Sequence, residues 1–234
     1  MGAVFKRELK SYFVTPIGYV FLAMFYCYAG LMFYVTSLSE GKTRMDMLFS
    51  SLIIILVVVI PILTMRTMAE ERRSRTDQCL LTSPVSITGI VAGKFLAAFT
   101  VYLAAISITL VMALVTWIYS SPDWSVVLGN LIGLALLGAS FIAIGIFCSC
   151  CTESQPVSAV MCFGVLMCVS FLSAIGSKLP FEFLSKIADK LAFSERYYAF
   201  TYGIFDISNV LFFISAVFVF LFLTVRLTEK RRYS

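Results

Sequence analysis

Six stretches of this chain contain no Asp, Glu, Lys or Arg, and each is at least 19 residues long: Ser11–Ser39, Met47–Met65, Phe95–Pro122, Trp124–Thr152, Ser154–Ser177 and Ile207–Val225. A bilayer core about 30 Å thick takes roughly 20 apolar residues of helix to cross. Six such runs in 234 residues predict six membrane spans, with the charges left to the connections. The expected fold is all-α, one membrane domain over residues 1–234, with spans near 17–38, 47–68, 89–119, 124–148, 157–175 and 207–225.

Composition agrees. Hydrophobic residues make up 60% and charged residues 13%, against about 45–50% and about 25% in soluble domains. Of 18 Lys and Arg residues, 12 fall before the first span, in the second loop and in the tail; the other six fall in the first and fifth loops. The positive-inside rule puts the richer side in the cytoplasm, with both termini. The basic residues need no nucleic acid to explain them. The opening apolar run is too long for a cleavable signal peptide and lacks a small-residue cleavage site, so the first span is expected to stay.

Three connections carry detail. In Met1–Phe13, Val4, Phe5, Leu9, Tyr12 and Phe13 recur at helical spacing among Lys6, Arg7, Glu8 and Lys10. That pattern fits an amphipathic helix flat on the cytoplasmic surface, with a frayed, solvated terminus as the alternative. The second loop, from Arg66 to Pro84, predicts a charged helix over Met68–Leu81; Ser83-Pro84 then restarts a helix leading through Lys94 into the third span. Pro61, late in the second span, is a candidate kink. The 31-residue outer segment Gly176–Asp206 holds an amphipathic stretch around Phe183 and Ile187, followed by Tyr197 and Tyr198. It reads either as a plain interfacial cover or as a lid over a substrate exit.

Several chemistries are excluded. His is absent and no acid lies mid-span, which removes intramembrane hydrolysis by His- or Asp-based sites and argues against an ion-coupled transporter. The Cys148, Cys150, Cys151 cluster has no His to complete a metal site and reads as small packing residues. No G-x-x-x-x-G-K-[ST] loop is present, so the chain binds no cofactor of its own by that route. Energy is expected from a cytoplasmic partner.

The second loop also carries a likeness. Ala69-Glu-Glu-Arg-Arg-Ser, Leu80-Leu-Thr-Ser-Pro-Val and Ile90-Val-Ala-Gly-Lys-Phe-Leu96 resemble the membrane subunits of type-2 ABC transporters, most of all the gliding-motility-associated branch. Thr152-Glu-Ser-Gln155 resembles that family's inner turn, Phe5–Phe13 its opening interfacial helix, and Phe220–Arg232 its last span and tail. The resemblance implies a permease subunit without an ATPase site. It would pair with an identical or homologous membrane subunit, above two ABC ATPases that bind ATP and Mg. The family's coupling helix maps onto Met68–Leu81. Glu70, Glu71, Arg72, Arg73 and Arg75 would then bond to the ATPase while Leu80 and Leu81 fill an apolar pocket; the alternative is that these charges are simply solvated. The expected function is ATP-driven export from a bacterial plasma membrane. A mechanical or signalling complex acting on an outer accessory protein is the rival, and a scaffold without an ATPase is the other.

Overall fold

The computed structural model describes residues 2–38, 45–74, 86–119, 124–172, 192–201 and 206–232. All regular structure among them is helical: α1 (Gly2–Val14), α2 (Pro16–Phe33, ending in a π turn over Tyr34–Leu38), α3 (Met45–Thr64), α4 (Arg66–Arg73), α5 (Ile87–Tyr119), α6 (Trp124–Cys151), α7 (Gln155–Ser170), α8 (Phe193–Thr201) and α9 (Ile207–Arg232). Five segments are long and apolar enough to cross a membrane: Pro16–Ser37, Met45–Arg73, Ile87–Ile118, Trp124–Cys151 and Ile207–Lys230. The stretch expected as a fifth span, Val157–Ile175, overlaps the 16-residue α7 (Gln155–Ser170), and its residues 173–175 lie outside the described residues. At 1.5 Å per residue α7 reaches about 24 Å, and it ends where Phe171 leaves helical geometry at φ −102° and ψ 13°.

Helix α6 is the axis of the bundle. It packs against α3, α4, α5, α7, α8 and α9. Its glycines permit that. A Cβ on Gly138 would overlap the Tyr102 ring of α5, and one on Gly145 would overlap Thr64 of α3. Small residues let membrane helices approach closely enough for dispersion contacts, which matter most where lipid removes the hydrophobic drive. The approach also brings Tyr102 Oη within 2.7 Å of the Leu134 carbonyl, to which it donates. Similar interhelix bonds join Tyr26 to Ala104, Tyr28 to Ser51 and Ser140 to Phe213.

The periphery is apolar and exposed. Val160, Ile118 and Phe218 are 72%, 75% and 74% accessible, as expected of side chains that face lipid or another membrane subunit. Pro16 stands in the first turn of α2 behind an extended Thr15, the arrangement that turns the chain from α1 into the first crossing helix. Pro61 lies inside α3 without ending it. Helix α5 starts at Ile87, where the Ser86 hydroxyl accepts the Gly89 N–H at 3.3 Å. The start assigned from sequence, Ser83-Pro84, lies outside the described residues.

Candidate functional site: the charged end of the bundle

The break between α3 and α4 falls at Met65, and a side chain from α6 mends it. Ser149 Oγ donates to the Met65 carbonyl at 3.0 Å and accepts the Met68 and Ala69 N–H groups, each at 3.1 Å. A helix start leaves its first N–H groups without partners. Here a neighbouring helix supplies the capping oxygen that α4 lacks, since Met65 makes no side-chain cap. The short charged helix is thereby held against the bundle axis.

Its consecutive side chains Glu71 and Arg72 then reach in opposite directions. Glu71 accepts from Arg7 of α1 at 2.8 Å and from Lys94 of α5 at 3.0 Å. The Arg72 guanidinium donates to the carbonyls of Cys150 and Thr152, the latter at 3.2 Å, at the C-terminus of α6. A cation there satisfies carbonyls without helical partners and complements the negative end of the helix dipole. Glu70 pairs with Arg66 one turn back, with Nη2 to Oε1 at 2.8 Å. Arg73 is exposed at the last turn. Arg75, Leu80 and Leu81 lie outside the described residues, as do Phe183 and Ile187.

Lys94, which the sequence places in the helix leading into the third span but gives no role, sits inside α5 with 1% of its side chain accessible. Its ammonium donates to the Thr67 carbonyl at 2.7 Å and pairs with Glu8 at 3.3 Å and Glu71 at 3.0 Å. Arg7 also bonds Glu8, at 2.7 Å. Two carboxylates beside the Arg7 guanidinium, with a direct bond from Glu8 foremost, hold its pKa above the ordinary value. Tyr12 completes the contact between α1 and the α3–α4 junction. Its hydroxyl donates to the Leu63 carbonyl at 3.3 Å and lies 3.4 Å from Thr67 Oγ1; burial pushes its phenol up to about 12. A polar cavity of about 320 Å³ opens among these side chains. The signal for Lys94 was present in the sequence as one Lys seven residues into the apolar helix that begins at Ile87.

At the opposite end the candidate lid residues part company. Tyr197 is buried, its hydroxyl 3.4 Å from the Phe49 carbonyl and 3.3 Å from Asn130 Oδ1. Tyr198 is partly exposed and borders a small apolar cleft with Ile54, Val58, Met167 and Phe171 between α3 and α7. Among the described residues, no group of three or more His, Cys, Asp or Glu is placed to hold a metal ion. Cys148 and Cys150 are buried and Cys151 is exposed.

The structure thus brings two separate sequence motifs into contact, the charged second loop and the Thr152–Gln155 turn, through Arg72. The model of the ABC-2 family transporter proteins matches residues 39–228, which include both. The chain belongs to the ABC-2 transporter family. No curated protein is a match. As an ABC-2 family member with several membrane-crossing helices, it is a multi-pass membrane protein and a permease-type subunit of an ABC transporter, a class whose membrane subunits are not themselves the catalysts. Helices α1 and α2 both lie before the matched residues.

Proposed function

We propose that this chain is the membrane permease of an ATP-driven exporter of the gliding-motility-associated branch. It forms one transmembrane domain with six spans, α7 and the residues after it making the fifth. Both ends lie in the cytoplasm of a bacterial cell, with α1 at the inner interface. Two separate ATPases bind ATP and Mg and dock on the coupling segment from α4 to Leu81, beneath this chain and a second membrane subunit, identical or homologous. The observation that carries the reading is the fixing of α4 on both sides. Glu71 ties it to α1 and α5, Arg72 and Ser149 tie it to α6, and Arg73 is left facing outward. A push on a helix held in that way moves crossing helices rather than bending a loop. The roles divide accordingly: Arg73, Arg75, Leu80 and Leu81 meet the ATPase, while Glu71 and Arg72 pass the displacement into the bundle. The apolar cleft beside Tyr198 runs along the middle of α3, suited to an apolar or amphiphilic cargo.

Co-purification with the cognate ATPase tests this. Wild-type chain is expected to retain the ATPase, and Arg73→Glu combined with Leu80→Asp and Leu81→Asp is expected to lose it while remaining monodisperse. Retention in the variant moves docking elsewhere; no ATPase with the wild type overturns the reading. ATP-dependent movement of cargo into vesicles then separates export from a purely mechanical role.

A further inference from the structure

Four charges at the α4 end form a closed ring of alternating sign. Arg7 meets Glu8 at 2.7 Å, Glu8 meets Lys94 at 3.3 Å, Lys94 meets Glu71 at 3.0 Å and Glu71 meets Arg7 at 2.8 Å. Two members come from α1, one from α4 and one from α5. Glu71 divides its two oxygens, Oε1 to Arg7 and Oε2 to Lys94, whereas Glu8 uses Oε1 for both cations. The ring is neutral in sum, but its parts are unequal in burial. Lys94 is almost wholly enclosed, Glu8 and Glu71 are 15% and 18% accessible, and Arg7 is half exposed.

We propose that this quartet makes α1, α4 and α5 one mechanical unit, with Lys94 as its positioning residue, so that the N-terminal helix moves with the coupling segment. The inference rests on the docking reading of α4. It goes beyond that reading by giving a role to α1, which lies outside the residues matched to the family.

The physical case is the cost of separation. An enclosed ammonium loses its hydration and depends on its partners, and withdrawing any one leaves a buried charge uncompensated. Lys94 has three: the Thr67 carbonyl from the start of α4, Glu71 from its end, and Glu8 from α1. Moving α4 away from α1 would pull Glu71 from Arg7, and Lys94 would have to part from either Glu71 or Glu8. Apolar contacts point the same way. Tyr12 is buried at the α3–α4 junction, and Phe5 and Leu9 pack against the core. The turn after α1 adds little slack, because a Cβ on Gly18 would collide with the Tyr12 carbonyl. Charged residues of an amphipathic helix usually face water or lipid headgroups; Glu8 instead points into the protein, and only a fixed cation gives it reason to.

Hydrogen exchange on the full chain in nanodiscs tests this, comparing wild type, Glu8→Gln, Lys94→Met and the double variant. Both single variants are expected to release α1, with amides from Phe5 to Tyr12 exchanging on the order of tenfold faster while α6 stays protected. The double variant is expected to add little to Lys94→Met, the non-additivity of groups that share one network. Glu8→Gln sits at the rim and keeps the test open should Lys94→Met fold poorly. Wild-type protection of α1 in Glu8→Gln, or effects that simply add, would overturn the proposal. In the ATPase-bound complex, ATP is expected to change α1 exchange in the wild type and not in Glu8→Gln, although the ATPase is still retained; an equal response in both would also overturn it. Failure of the wild type to bind an ATPase counts against the docking reading alone, since the comparison on the isolated chain decides the quartet without it.

Discussion

The two ends of this bundle are held by opposite means. At the α4 end, ion pairs and charge-assisted bonds join helices far apart in sequence, as in Arg7–Glu71, Lys94–Glu8 and Arg72–Thr152. At the α8 end aromatic contacts predominate, beside the Ser194–Ser170 and Arg196–Asn209 hydrogen bonds and the Arg196 guanidinium over the Phe212 ring. Phe193 packs edge-on to Phe212 and Phe213 at 5.1 and 5.7 Å, and the Tyr197 hydroxyl makes long polar contacts with Phe49 and Asn130. Ion networks have discrete partners and break as units, whereas apolar surfaces slide at little cost for each step. A charged end suits transmission of a defined displacement. An aromatic end suits a surface that repacks.

The sharpest way to break this contrast is Lys94→Met. It removes the enclosed cation that Glu8 and Glu71 share. Breaking a buried pair by removing one partner costs about 3–5 kcal/mol, and a clear fall in the melting temperature of the purified chain is expected; an unchanged melting temperature would reduce the quartet to surface decoration. Tyr197→Phe probes the other end. It removes the hydroxyl that reaches Phe49 and Asn130, both at long range, and keeps the ring, so a loss of about 1 kcal/mol is expected in a denaturant titration of the same sample. A larger loss than for Lys94→Met would reverse the comparison. Arg226→Ala sharpens the role of burial. Arg226 pairs with Glu229 at 3.2 Å but is 64% accessible. Exposed pairs of this kind contribute about 0–1 kcal/mol, so its melting curve is expected to overlay that of the wild type.

Spans and site differed in how readable they were. Charge-free runs mark helices whatever they pack against, and five of the six expected spans hold a helix long enough to cross. The sixth, around Val157–Ile175, holds the shorter α7, which ends at Ser170, and the last residues of that run lie outside the described residues; length without charge marks an apolar run but not where a helix stops. At the candidate site, the loop charges Glu70 to Arg73 were legible as a group, but their directions were not. Glu71 and Arg72 are neighbours in sequence that reach opposite sides of α4, and only the positions of Lys94 and of the α6 terminus decide which way each turns.

From the sequence alone came the solvent of this protein, its helical class and the segment where charge concentrates, because hydropathy over 20 residues is a local property. The tertiary structure decided which charges are spent inside. Lys94 becomes a hub when α1 brings Glu8 and α4 brings Glu71 to it, from 86 and 23 positions away. The buried ammonium must find partners in three dimensions, and no spacing along the chain records where they stand.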